Sequence, residues 1–366
     1  MGCAQGLLLF APRTVVLGRY LVETDEGGLL GEGRCSKVRR GTCLKTGQQV
    51  AVKEYSGFNV FLDGATQQAM TIFTQFRQQV RVLQHLREPF SSGEFEGVDP
   101  SSFFVELIDF SRDACGQPGP DGETGNLYIV TTLAEYSLQD YVRWNRSEGR
   151  APGQKEIQQI AKSLVRIVAA LHAKGFVHMD LKPQNLLVFD GTVKLIDLDG
   201  CVEAGTTICT NDTGFMFSKL YCAPEVARFV GSKERASLVV SPLLDAWSIG
   251  MTIAEVACLT PVLYSKYKHH RETARTPQAA ERGFMDWLGH SKASPLPHAI
   301  NAFDPELHTF LSECLCVYDP EQRMDLGRCS CHPYIAACEA EAPQEMLPRT
   351  AGFTCCAVSS NREAEV

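Results

Sequence analysis

The sequence has no apolar run near the ~20 residues that a helix needs to cross a bilayer. Its early GLLLF cluster, residues 6–10, is too short for a secretory signal and has no basic residue ahead of it. Positive charge is also scarce: 35 Lys and Arg stand against 43 Asp and Glu, a net charge of −8, so no general field draws nucleic acid or anionic lipid. Internal repeats are absent. The 15 Cys are spread along a chain that is 44% hydrophobic, so reduced thiols in a soluble cytoplasmic protein are expected, not a disulfide framework. The Cys314/Cys316 and Cys329/Cys331 pairs match no familiar zinc-finger spacing.

The 366 residues suffice for one large two-lobed domain or two average ones. TVVLGRYLVE (14–23) reads as a strand leading into the Gly-rich GGLLGEGRCSKVRRG (27–41), and QQVAVKEY (48–55) reads as a second, β-branched strand. From Thr66 to Arg87 there is no Gly or Pro. Phe73, Phe76, Val80, Leu83 and Leu86 recur there at three- and four-residue steps, which predicts a helix with one buried face. FFVELIDF (103–110) and LYIVTTL (127–133) are the next strands, and the polar SRDACGQPGPDGETGN between them reads as a mobile hairpin loop. A strong helical period from Glu156 to Lys174 ends at Gly175, and the pattern beyond is mainly helical. The expected class is α+β. A small β-rich N-lobe (20–133) is followed by a larger helical C-lobe (134–338), with an extension at 1–19 and a polar, flexible tail at 339–366.

The chemistry concentrates in four places. Leu30-Gly31-Glu32-Gly33 through Ser36 and Val38 can lay backbone N–H groups over a polyphosphate, although such glycines alone also fit an ordinary tight turn. A strand, not a helix, follows these glycines, which excludes a dinucleotide-binding fold. Ala51 and Lys53 share one face of a strand, and an inward-facing lysine needs an anionic partner such as the α- and β-phosphates of a nucleotide. In GFVHMDLKPQNLLVF (175–189), Asp180 is placed to accept a hydroxyl proton, Lys182 to touch a transferring phosphate and Asn185 to ligate metal. Asp197, after the strand-like VKLI, is the main candidate for a hard-cation ligand.

With APE at Ala223–Glu225, Asp245 in DAWSIG and Arg323 in DPEQR, these motifs stand in the order found in eukaryotic protein kinases. The chain resembles that family, nearer its Ser/Thr branch, over roughly residues 20–338. The resemblance implies ATP with Mg²⁺, or Mn²⁺ in its place, as cofactors, and a protein carrying a Ser or Thr acceptor as partner. It implies that Thr131 is the gatekeeper, that Thr132 to Ala134 offer backbone groups to adenine, and that Glu225 pairs with Arg323. It also implies that Asp245 anchors the catalytic-loop backbone and that Ser218 bonds the catalytic pair.

Four departures stand out. Ser36 replaces the third loop glycine. The metal motif reads Asp197-Leu198-Asp199-Gly200 in place of Asp-Phe-Gly, and Asp199 is expected to restrict its flip. Met179 replaces an Arg that often receives an activation-loop phosphate, so phosphorylation at Thr206, Thr207, Thr210 or Thr213 is predicted to be unnecessary or differently wired. Gln79 falls where the family has the Glu that pairs with Lys53, which predicts a slower enzyme. These departures motivate a rival reading, a pseudokinase that binds nucleotide or a partner and signals by conformation. A small alcohol or sugar acceptor is a fainter option. Met1-Gly2-Cys3 resembles a dual acylation site, so membrane association is expected only if Gly2 and Cys3 are lipidated.

Overall fold

The computed structural model describes residues 12–33, 35–55, 67–210, 217–232, 234 and 236–337. Gly2, Cys3, Thr66, Thr213 and the tail lie outside them. Leu17 (φ 51°) and Gly18 (φ 61°) both adopt left-handed backbone, and the chain reverses over the three residues Leu17–Arg19, with Arg19 N–H donating to Val16 O at 3.1 Å. Residues 14–23 are therefore not one strand. They divide into β1 (Arg13–Val16) and β2 (Tyr20–Glu23), paired antiparallel from Arg13↔Glu23 to Val16↔Tyr20. Then come β3 (Leu29–Glu32), β4 (Ser36–Cys43), β5 (Gln49–Tyr55), helix α1 (Gln67–Leu86), β6 (Leu107–Phe110) and β7 (Leu127–Thr132).

The strands form one sheet in the order β1-β2-β4-β5-β7-β6, with β3 on β4. Alternation along β5 sends Val50 and Val52 to one face, where they pack with Val16, Tyr20, Val22, Tyr128 and Val130. Ala51, Lys53 and Tyr55 take the other face. Helix α1 buries Ile72, Phe76, Val80, Leu83 and Leu86, while Phe73 is only half-buried. Its Phe76 ring meets the edge of Tyr55, with centroids 5.7 Å apart. The loop between β6 and β7 is built from turns rather than loose chain. Asp113 Oδ1 accepts from the amides of Cys115 and Gln117, at 2.9 and 3.0 Å, and Asp121 Oδ2 accepts from Thr124 N–H and Oγ1–H, both at 2.9 Å.

The chain divides into two compact units. Among the described residues one comprises 12–80 and 106–133, the other 81–105 and 134–337. Residues 81–105, expected in the N-lobe, thus belong to the second unit. Long-range bonds account for this: Leu195 N–H donates to Phe103 O (2.9 Å), Val105 N–H to Leu195 O (3.2 Å), and Lys174 Nζ to the carbonyls of Glu88 and Pro89. Only the second half of FFVELIDF is left to form β6.

In the second unit, β8 (Tyr136–Ser137) leads into α2 (Leu138–Ser147), whose start is fixed by a reciprocal Ser137/Asp140 capping box. Helix α3 (Gln154–Ala173) buries Ile157, Ile160, Leu164, Val168 and Leu171 and stops at Gly175, φ 82°. Short strands follow: β9 (Phe176–Val177), β10 (Leu186–Phe189), β11 (Thr192–Leu195), β12 (Val202–Glu203) and β13 (Thr207–Cys209). After them come α4 (Pro224–Gly231), β14 (Ser237–Val239), the buried α5 (Pro242–Cys258), α6 (Tyr264–Thr273) and α7 (Pro277–His290), with shorter helices out to Ala336. No described helix is long and apolar enough to cross a membrane.

Candidate active site

In the first unit, sheet register assembles one group of the expected residues. Val38 lies opposite Lys53 and Lys53 opposite Ile129, while Ala51 lies opposite Thr131. Directly opposed residues point to the same face, so Val38, Ala51, Lys53 and Thr131 share the surface away from the valine cluster. Leu30, Gly31 and Glu32 belong to β3, with Gly31 opposite Val38. The Gly33 amide donates to Ser36 O at 2.8 Å and closes the loop, and a Cβ on Gly33 would sit 3.3 Å from Ser36 Oγ. The N–H of Thr132 is committed to Glu106 O at 3.2 Å, which leaves Thr132 only its carbonyl to offer to a base. Ala134 belongs to the second unit.

Gln79 lies where the helical pattern puts it, buried at 5% exposure, and its carbonyl oxygen accepts the Tyr55 hydroxyl. Lys53 Nζ stands 5.3 Å from the Tyr55 ring centroid. Tyr55 is a site residue that sequence reasoning missed. Its signal was its position two residues after Lys53, on the same strand face.

In the second unit, the turn after β9 carries the candidate chemistry. Lys182 Nζ bonds Asp180 Oδ2 at 2.7 Å and Ser218 Oγ at 2.9 Å, while the Asn185 amide donates to the Asp180 backbone carbonyl at 2.8 Å. Asp180 Oδ1 is buried and has no protein hydrogen-bond partner. The Asn185 side chain commits its nitrogen to this turn, so its carbonyl oxygen is the atom available to a hard cation. The amide of Ile196, the residue before Asp197, donates to Asn185 O at 3.0 Å and ties the two candidate ligands to one backbone frame. Asp197 takes a left-handed conformation (φ 60°), and the following Leu198 is fully buried.

Asp245, the expected anchor of this backbone, and His178, which sequence reasoning missed, hold this turn. Asp245, fully buried on α5, accepts His178 N–H (2.7 Å) and the His172 ring (2.9 Å) at Oδ2, and Met179 N–H (3.0 Å) at Oδ1. These charge-assisted bonds hold Met179 at φ 71°, an uncommon conformation for a side chain of that size. His178 is also fully buried. A carbonyl can only accept, so His178 Nε2–H donates to Ile196 O at 3.0 Å, and Nδ1 is left to accept the Asp180 N–H at 3.3 Å. The imidazole thus joins the segment carrying Asp180 to the segment carrying Asp197. Its signal was its place two residues before Asp180.

Farther out, Arg323 donates to both Glu225 carboxylate oxygens at 2.7 and 3.1 Å. Tyr221 Oη donates to the buried Glu255 Oε2 at 2.5 Å, and burial pushes the Glu255 carboxyl up to about 7 against the lowering effects of that bond and of Arg143. Burial chiefly, then the carboxylates of Asp245, Asp199 and Asp197, raises the Cys201 thiol well above its ordinary value, which keeps it protonated and unreactive.

Residues 24–335 match the protein kinase domain. Similar proteins include cyclin-dependent kinase F-3 of Oryza sativa subsp. japonica, 24% identical over 84% of this chain and 63% of that protein. Mitogen-activated protein kinase 1 of the same plant is 26% identical over 84% of this chain and 71% of its own length. Cyclin-dependent kinase 7 of Dictyostelium discoideum is 25% identical, over 88% and 81%. The chain belongs to the protein kinase family and is of its Ser/Thr type.

Proposed function

We propose that the chain transfers the γ-phosphoryl group of ATP to a Ser or Thr hydroxyl of a protein substrate, with Asp180 as the residue that receives the acceptor's proton. The observation that carries this is the asymmetry of the Asp180 carboxylate. Oδ2 is fixed by Lys182, while the buried Oδ1 lacks a donor, a state that costs about 1–3 kcal/mol and that an acceptor hydroxyl would relieve. Holding one oxygen fixes the direction of the other, which is the positioning that phosphoryl transfer requires.

The family uses ATP and Mg²⁺, and the donors here suit them: a carbonyl oxygen on Asn185 and a carboxylate on Asp197 are hard-cation ligands. Bound metal and nucleotide would supply the phosphoryl group and neutralise its charge. Lys182 adds positive charge beside the transferring group, and Ser218 holds Lys182 there. Lys53 serves the α- and β-phosphates from the sheet face that it shares with Val38, Ala51 and Thr131.

Purified protein with labelled ATP and Mg²⁺ should label itself or a generic Ser/Thr substrate. Asp180→Asn and Lys53→Met should each lower that transfer by about a thousandfold. Unchanged transfer in Asp180→Asn would remove Asp180 from the reaction, and no transfer by the parent protein despite ATP binding would make the chain a nucleotide-binding scaffold.

A further inference from the structure

Helix α6, helix α7 and the two residues after them, residues 264–292, run against the charge of the chain. They hold six Lys and Arg and three acidic residues, in a protein of net charge −8. Two cations converge at one point of this region. Lys219 Nζ lies 5.7 Å from the ring centroid of the buried Tyr267, and Arg271 Cζ lies 6.0 Å from the same ring. One aromatic ring thus attracts both cations, each within about 6 Å of its centroid. Lys219 is part-matched by Glu281 Oε2 at 3.0 Å, so an incoming carboxylate would share Lys219 with Glu281 and draw mainly on the cations around it. Arg271 is exposed and no ion pair joins it to a described carboxylate. Lys266 is exposed and leans on the Trp287 ring at 5.7 Å, and the exposed Lys268 is weakly matched by Glu272 at 3.7 Å. Desolvation first, then His269 and Lys266, lower the basicity of the neighbouring His270.

The place of this cluster in the chain gives it a function. Lys219 directly follows Ser218, whose Oγ is 2.9 Å from Lys182 Nζ, and Lys182 in turn grips Asp180. Consecutive Cα atoms are about 3.8 Å apart, so the cluster begins within a few residues' reach of a hydroxyl seated at Asp180. We infer that the Lys219–Arg271 pair, extended by Lys266 and Lys268, docks acidic residues of the protein substrate close to its acceptor Ser or Thr. The inference rests on the kinase reading above and names the substrate class: acceptors flanked by Asp or Glu. Charge complementarity selects this occupant, and its contribution is long-ranged and sensitive to salt.

The test uses the full chain and three Ser peptides of equal length whose flanking residues are acidic, neutral or basic. The expected kcat/KM for the acidic peptide exceeds that for the neutral one by about tenfold, with the difference carried in KM and shrinking as salt is raised. In Lys268→Glu/Arg271→Glu that ratio should fall to about one or invert. Fluorescence anisotropy of a labelled acidic peptide, followed without ATP, should show binding by the parent protein and its loss in the double variant. Binding without phosphoryl transfer to any peptide would sustain the docking face while removing the kinase reading. Equal kcat/KM for all three peptides, with normal transfer, would overturn the docking face alone. If a peptide of residues 339–366, which holds five Glu and two Arg, bound more tightly than every acidic substrate peptide, the face would belong to the chain's own tail and the inference would be wrong.

Discussion

At residue 79 a neutral amide stands where the resemblance to kinases leads one to expect a carboxylate, and the structure gives it a specific partner. The Gln79 carbonyl is taken by the Tyr55 hydroxyl, and Tyr55 presents its ring to Lys53. The lysine is thus steadied in part by a π-face, which is weaker and less directional than a charge-assisted hydrogen bond. Restoring the charge should sharpen its placement: Gln79→Glu is expected to raise kcat by about tenfold, the worth of one improved charged contact. Steady-state kinetics on a generic substrate checks this. An unchanged kcat, together with a loss of activity in Tyr55→Phe, would mean that the tyrosine already fixes what the family's glutamate fixes. The seat of Gln79 was legible in the sequence, because the apolar spacing of α1 leaves one inward polar position beside Val80. Its bond to Tyr55 was not, because the pattern of a helix does not reveal which strand it will meet.

The segment between Asp197 and Glu225 shows how an element can be held without a phosphate. β12 pairs with β9, and β13 pairs with β14 from Thr207↔Val239 to Cys209↔Ser237. Beyond that ladder, Thr210 N–H reaches Ala236 O at 3.1 Å and Val240 N–H reaches Thr206 O at 2.8 Å. Backbone hydrogen bonds therefore fix residues 202–210, while the side chains of Thr206, Thr207 and Thr210 point to solvent. Met179 is buried at 5% exposure and brings no charge that could receive a phosphate. Replacing Thr206, Thr207, Thr210 and Thr213 together by Ala should leave kcat/KM within about threefold of the parent. A hundredfold loss, with mass spectrometry showing phosphate on the parent segment, would establish that a loop phosphate is required after all. The motifs around this element could be read in sequence because local residue order carries them. The hairpin at Leu17–Gly18 and the transfer of residues 81–105 to the second unit could not, since Leu is an unusual residue for a left-handed turn and the bonds to Leu195 span some ninety positions of chain.

Across the second unit, stability and site are joined through buried polar groups on α5. Asp245 holds the turn before Asp180. Arg323 spends its donors on Glu225, Leu243 O and Val317 O, with its guanidinium 5.3 Å from the Trp247 ring centroid. Asp245 and Arg323 therefore each have hydrogen-bond partners for their charge, the condition under which a buried ion is tolerated. Glu255 is different. It is fully buried, Tyr221 satisfies only one of its oxygens, and Oε1 has no partner. Burial raises its carboxyl from the ordinary 4.5 to about 7. Between those values the unfolded chain is ionised at this residue while the folded chain keeps its proton. Stability must therefore fall as pH rises through that window and level off above it. Gln in this position can still accept the Tyr221 hydroxyl but has no charge to bury. Urea unfolding of Glu255→Gln and the parent across this range should give closely similar stabilities near pH 4 and a growing advantage for the variant, on the order of 3 kcal/mol by pH 8. A difference that stayed constant with pH would mean that Glu255 ionises in the folded protein as readily as in the unfolded chain.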